Sequence, residues 1–208
     1  MIGPTGAREL IENLERAYAL DIKIRIADEK LPRSGIATDV TEFDRDGVVF
    51  EKNGVKVIAF EVDHGAVIKP CYGYRVEYGG RVAVFSSDTR YNQNVIKYGA
   101  GADLLVHEVA SARPELMREA YIQRIIAHHT TPREAGSVFA QTRPKLAAYT
   151  HIVLLGSERI PPPTIDDIVA ETRQTYGGPL VAGEDLMAFD IGATVSVERH
   201  PSRSPPKA

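Results

Sequence analysis

Apolar residues recur at Leu10, Ile11, Leu14, Ala17 and Tyr18. That three-and-four spacing turns one stripe inward, so it predicts an amphipathic helix over about residues 6–19. Residues 20–45 are polar and mixed, and the pattern assigns them no element. From residue 47 the period changes. "GVVFEKNGVKVIAFEV" holds two β-branched runs around Asn53-Gly54, a pair suited to a tight hairpin turn. "YGYRVEYGGRVAVFSS" repeats the device, with Gly79-Gly80 joining strands near 72–78 and 81–87.

Beyond Asp88 the texture alternates. "NQNVIKYGA" reads as a short helix, "ADLLVHEV" as a buried strand ending at His107-Glu108, and 114–126 as helical. Thr131 and Pro132 supply an N-cap and a first helical residue for "TPREAGSVFAQTR". "PKLAAYTH" reads as a strand ending at His151; a proline loop at 161–163 then leads to a helix near 164–176. "LVAGEDLMAFDI" predicts a terminal hairpin, and residues 199–208 a disordered tail. Hairpins first and strand–helix alternation later describe a mixed α/β layered domain over 1–198, not an all-parallel doubly wound sheet.

Composition narrows the class. Hydrophobic residues at 43% and charged residues at 25% suit a soluble globular chain with a sizeable core. A net charge of −3 argues against a broad nucleic-acid surface. Cys71 is the one cysteine, so no internal disulfide requires an oxidising compartment. No segment has the length and apolarity of a membrane span or the plan of a signal peptide. The expectation is a cytoplasmic protein with no membrane partner.

Candidate chemistry lies where apolar runs stop. His64 follows "VIAFEV", Asp88 follows "VAVFSS", His107-Glu108 follows "DLLV" and His151 follows "LAAYT". In layered α/β folds such positions gather along one sheet edge. Imidazole and carboxylate without thiolate suit a catalytic Zn²⁺, Mn²⁺ or Fe²⁺ site. Each position alone is equally a loop residue, a core histidine or an Asx turn.

The ordered set resembles the C-terminal part of the metallo-β-lactamase superfamily, in its ribonuclease Z-like branch. It comprises His64 with Gly73-Tyr74-Arg75, Ser87-Asp88-Thr89-Arg90, His107-Glu108-Val109, His129-Thr130-Thr131 and Thr150-His151. Ser87 stands where the branch has glycine. The resemblance implies a four-layer αββα sandwich, incomplete at its N-terminal side. It implies two divalent metal ions, with zinc first and manganese or iron as alternatives. His64 would bind one ion, His151 the other, and Asp88 would bridge them. His129 would donate a proton or hold an oxyanion, with Glu108 orienting it and the adjacent His128 as a competing candidate.

The branch's His-x-His-x-Asp-His motif is absent, since no two histidines here are separated by one residue. Three of about seven ligands remain. The expectation is a truncated hydrolase, inactive as it stands and marginal in folding, because missing strands would leave an edge unpaired. The Gly79-Gly80 turn replaces the long arm with which ribonuclease Z grips tRNA, so a small anionic phosphodiester or related ester ranks above tRNA as substrate. A homodimer is a further expectation. The alternative class is a non-catalytic binding module retaining the fold. Genomic DNA discriminates: an in-frame His-x-His-x-Asp-His stretch upstream of Met1 is expected, and a stop codon directly upstream would favour the binding module.

Overall fold

A computed structural model describes residues 1–200, which divide into two compact units, Met1–Arg45 and Asp46 onward. The tail expected over 199–208 falls outside the described residues from Pro201 on.

In the first unit, strands β1 (Ile2–Pro4) and β2 (Thr41–Phe43) pair in parallel around helices α1 (Ala7–Ala17) and α2 (Ala19–Glu29). The Glu42 carboxylate accepts from the amides of Gly6 and Arg8, so the free N–H groups opening α1 are capped from a distant strand. The single helix expected over 6–19 breaks at Tyr18, and α2 continues through a stretch left unassigned. There "LDIKIRI" alternates apolar and polar residues, a strand-like period that hides the helix. Arg25 sits between Asp21 and Glu29, one turn away on either side.

The second unit is built on seven strands in the order β3 (Gly47–Lys52), β4 (Val55–Glu61), β5 (Tyr72–Tyr78), β6 (Arg81–Phe85), β7 (Leu104–Ala112), β8 (Leu146–Leu155) and β9 (Leu180–Ala182). The first four run antiparallel through the two expected hairpins, and β6 to β9 are parallel. Asn53 and Gly54 both take positive φ, as a two-residue primed turn demands. Helices α3 (Gln93–Gly99), α4 (Ala120–Ile126), α5 (Pro132–Thr142) and α6 (Ile165–Thr172) form the crossovers and their approaches. The predicted Thr131 cap is present, as a capping box with Glu134.

One sheet face buries Phe60, Val84, Leu105, Val109, Ala147 and Tyr149 against Val95, Val138, Phe139 and Ile168 of α3, α5 and α6. On the other face, Leu104, Val106, Leu146 and Ala148 meet Phe189, Ile191, Val195 and Val197. Those four belong to an antiparallel hairpin of β10 (Ala188–Ile191) and β11 (Val195–Glu198). This corrects the expected terminal hairpin. Leu180–Ala182 pairs with β8 in the large sheet, and β10 turns back on β11 instead. The helix expected over 114–126 also divides, into a 3-10 turn at Pro114–Arg118 and α4. No helix among the described residues is long and apolar enough to cross a membrane.

Strands β7 and β8 run four residues past the ends expected at Glu108 and His151. His107 is therefore an interior strand residue. Its ring is fully buried edge-on to Phe139, Nδ1–H donates to the Glu108 carbonyl at 2.7 Å, and buried Nε2 has no partner. Burial lowers its pKa by disfavouring the imidazolium, against weaker opposing help from Glu108. The unfolded chain thus takes up the proton first. This contribution to stability is complete above about pH 6.5 and is lost as the pH falls below it. His107→Leu is expected to flatten the acid side of a plot of thermal midpoint against pH; an unchanged slope below pH 6.5 would contradict the assignment.

Candidate metal and acid–base site

Five chain segments converge at one end of the large sheet. His64 lies in the loop after β4, Asp88 in the loop after β6, and Glu108 inside β7. His129 occupies the turn between α4 and α5, and His151 lies inside β8. Imidazole centroids of His64 and His129 are 4.9 Å apart, and those of His129 and His151 are 5.5 Å apart.

His151 reaches the site through an irregularity. Glu108 pairs with Thr150 and Val109 with Ile152, leaving His151 as the extra residue of a bulge in β8. Its φ is +42°, a left-handed conformation rare for a residue with a Cβ. Bulges re-aim side chains beside active sites, and this one brings His151 Nδ1 to 3.5 Å from Asp88 Oδ1. Ser87 also has positive φ, +55°, which gives the physical reason why glycine suits the position before the aspartate.

His64 is fixed from behind. Its Nδ1–H donates to the His128 carbonyl at 2.9 Å, and since a carbonyl only accepts, the lone pair is left on Nε2. That Nε2 lies 4.0 Å from Asp88 Oδ2. Separations of 3.5 and 4.0 Å exceed hydrogen bonds, but they are within reach of ions whose bonds to each atom are ~2.0–2.2 Å. A ring nitrogen freed by a carbonyl at its other nitrogen is the usual preparation of a metal-binding histidine. The donor set of His64, Asp88 and His151 therefore fits a divalent ion.

Glu108 is wholly buried. Oε1 accepts from the Thr130 amide at 2.7 Å, and Oε2 is 3.1 Å from His129 Nδ1. Donor atoms of Glu108, His129 and His151 lie within 4.8 Å of one another, a second grouping of metal-ligand type. Both Glu108 oxygens are already engaged, so its chemistry there is that of an acceptor for His129. The Glu108 hydrogen bond raises the His129 pKa, with partial opposition from burial. With Nδ1 turned to Glu108, the other ring nitrogen of His129, Nε2, is the one left for a substrate.

All five predicted residues thus meet in one cluster. His107 does not join them. His128 contributes its carbonyl, and its ring lies over Gly65, where a Cβ would stand 2.9 Å from Nε2. Arg75 donates to Glu77 and to the carbonyls of Tyr98 and Ala100, a structural role. Arg90 pairs with Asp63, whose pKa is held down by the Gly65 amide and then by Arg90. Sequence reasoning named Thr89 and Thr130 within the ordered set but gave them no role, and it missed the His151 bulge.

A sequence profile described as "Beta-lactamase superfamily domain" matches residues 8–152. The ribonuclease Z of Mycobacterium marinum is 30% identical over 199 residues, covering 93% of this chain and 67% of that protein. The ribonuclease Z of Mycolicibacterium paratuberculosis is 33% identical over 199 residues, with coverage of 93% and 67%. The chain spans about two thirds of the length of the curated relatives it matches. Among solved structures, the short form of human tRNase Z superposes with a TM-score of 0.57 at 18% identity, covering 92% of this chain and 67% of that one. The metallo-β-lactamase fold protein YhfI from Bacillus subtilis gives 0.55 at 19%, covering 82% and 60%. These two likenesses concern the fold.

Glu108→Gln should move the His129 midpoint, followed by NMR, down towards the ordinary value near 6.5. The pair's stabilisation is fully present below that pH and fades as the pH rises through the raised midpoint of His129, so the variant should lose more stability at pH 5 than at pH 9. An unmoved His129 midpoint would separate the two side chains.

Proposed function

The chain belongs to the metallo-β-lactamase superfamily, and from that membership we propose that it is a metal-dependent hydrolase acting on a phosphodiester or related anionic ester. The observation that carries the reading is the prepared state of His64, with Nδ1–H on the His128 carbonyl and Nε2 turned towards Asp88. His64, Asp88 and His151 would hold divalent metal, zinc first and manganese or iron next. Bound there, the metal supplies Lewis acidity and a water of lowered pKa.

The chain's own residues supply the rest. Asp88 presents one oxygen towards His64 and the other towards His151, and its negative charge offsets the cations it would share. His129, whose protonated form Glu108 favours, would offer a proton to a departing oxygen or a positive charge to a developing oxyanion. Buried Glu108 keeps the Nδ1 proton on His129 and so fixes the ring and its other nitrogen.

The second reading is processing of tRNA 3′ ends, favoured by the ribonuclease Z relatives. It is ranked second because β5 and β6 are joined by only Gly79-Gly80, which leaves no arm for a large RNA. A net charge of −3 points the same way.

The unaltered chain is expected to retain zinc, manganese or iron after dialysis, and His151→Ala to lose most of it. In a form that also carries the His-x-His-x-Asp-His stretch, His129→Ala should lower turnover of a bis-aryl phosphodiester by about 10²–10⁴-fold at unchanged metal content. A form carrying that stretch that retains no metal would refute the hydrolase reading, and unchanged turnover in its His151→Ala variant would refute that residue's role.

A further inference from the structure

Two threonines beside the site are fully buried, and both hydroxyls are engaged. Thr130 donates its hydroxyl to the Thr89 carbonyl at 2.7 Å, over a separation of 41 residues. Its amide donates to Glu108, and its carbonyl accepts from the Ala110 amide at 2.9 Å. The Thr89 hydroxyl in turn accepts from the Asp63 amide at 3.2 Å, and its proton faces the Arg90 carbonyl at 2.8 Å and the Asp63 carbonyl at 3.3 Å. The Arg90 amide adds a 2.8 Å bond to the same Asp63 carbonyl, and the Arg90 side chain closes on the Asp63 carboxylate.

Each member of this chain of contacts is the sequence neighbour of a candidate site residue. Asp63 precedes His64, Thr89 follows Asp88, and Thr130 follows His129. The loops that carry these residues belong to different strands and helices, and no ladder hydrogen bond joins Asp88 to His129. The Thr130 hydroxyl is the direct link from the Asp88 loop to the His129 turn. We infer that Thr130, acting through Thr89, is a positioning residue that sets the spacing of Asp88 and His64 relative to His129, so that metal affinity depends on a hydroxyl that touches no metal. This rests on the metal reading proposed above and assigns a dependence that reading does not contain.

The geometry explains why a hydroxyl is required. Without it the buried Thr89 carbonyl keeps an unmet acceptor and turns towards another donor, taking the adjacent Asp88 with it. A residue that orients ligands from behind commonly changes metal affinity 10- to 100-fold when removed.

The test is titration of the full 208-residue chain with Zn²⁺ and Mn²⁺ in three forms: unaltered, Thr130→Val and Thr130→Ser. Thr130→Val should weaken binding at least about tenfold, and Thr130→Ser, which keeps the hydroxyl, should restore it. Thermal melting alongside separates positioning from general stability: a purely structural role lowers the midpoint and leaves affinity unchanged, which would overturn the inference. If Thr130→Val does not fold, Thr130→Ala decides, since it removes the same hydroxyl without placing a methyl against the Thr89 carbonyl. If the unaltered chain binds neither ion, the metal reading fails on its own account. The positioning role is then read from the Asp88 backbone amide by NMR in the metal-free protein. A displaced Asp88 resonance in Thr130→Val that Thr130→Ser restores supports the inference, and an unmoved one overturns it.

Discussion

A carboxylate removed from water is costly unless each oxygen meets a donor. Glu108, in the middle of β7, meets this requirement through the Thr130 amide and the His129 ring, and both donors sit on the short turn between α4 and α5. The need to satisfy one buried charge thus fixes the turn. The turn fixes more than His129, because the His128 carbonyl on the same segment accepts from His64. Its Thr130 hydroxyl reaches the loop that carries Asp88. Remove the carboxylate and three segments lose their common reference.

The burial of the site is graded. Glu108 has no exposed side-chain surface and His129 has 9%, whereas Asp88 and His151 have 38% and 46%. The orienting groups lie in low dielectric, where a hydrogen bond to a charge is strong and geometrically strict. Two of the groups that would hold metal, Asp88 and His151, lie at the open side, where ligands can exchange, and His64 at 14% stands between the two levels. The same residues that make the interior rigid make the rim available.

Much of this was legible in the chain. Hairpins at Asn53-Gly54 and Gly79-Gly80 and the Thr131 cap follow from local chemistry, in which neighbouring residues alone decide the conformation. His64, Asp88, Glu108, His129 and His151 were marked by their places in an ordered set. Non-local facts were hidden. The alternating pattern of α2 carries a strand's period on a helix. The partner of β9 is β8 and not β10 because that ladder depends on sheet order, which no short window contains. Thr89 and Thr130 are ordinary threonines until folding brings them together. His107 stands beside Glu108 in sequence, but opposite sheet faces separate a core ring from a site carboxylate.

The bulge at His151 trades backbone comfort for side-chain direction. A side-chain-bearing residue in the left-handed region carries a conformational penalty on the order of 1–2 kcal/mol, which glycine would avoid. Deleting one residue there would restore a regular ladder between β7 and β8. Either change would regularise the strand and turn the side chain away from Asp88, so the backbone penalty and the reach of the imidazole are one property of the strand.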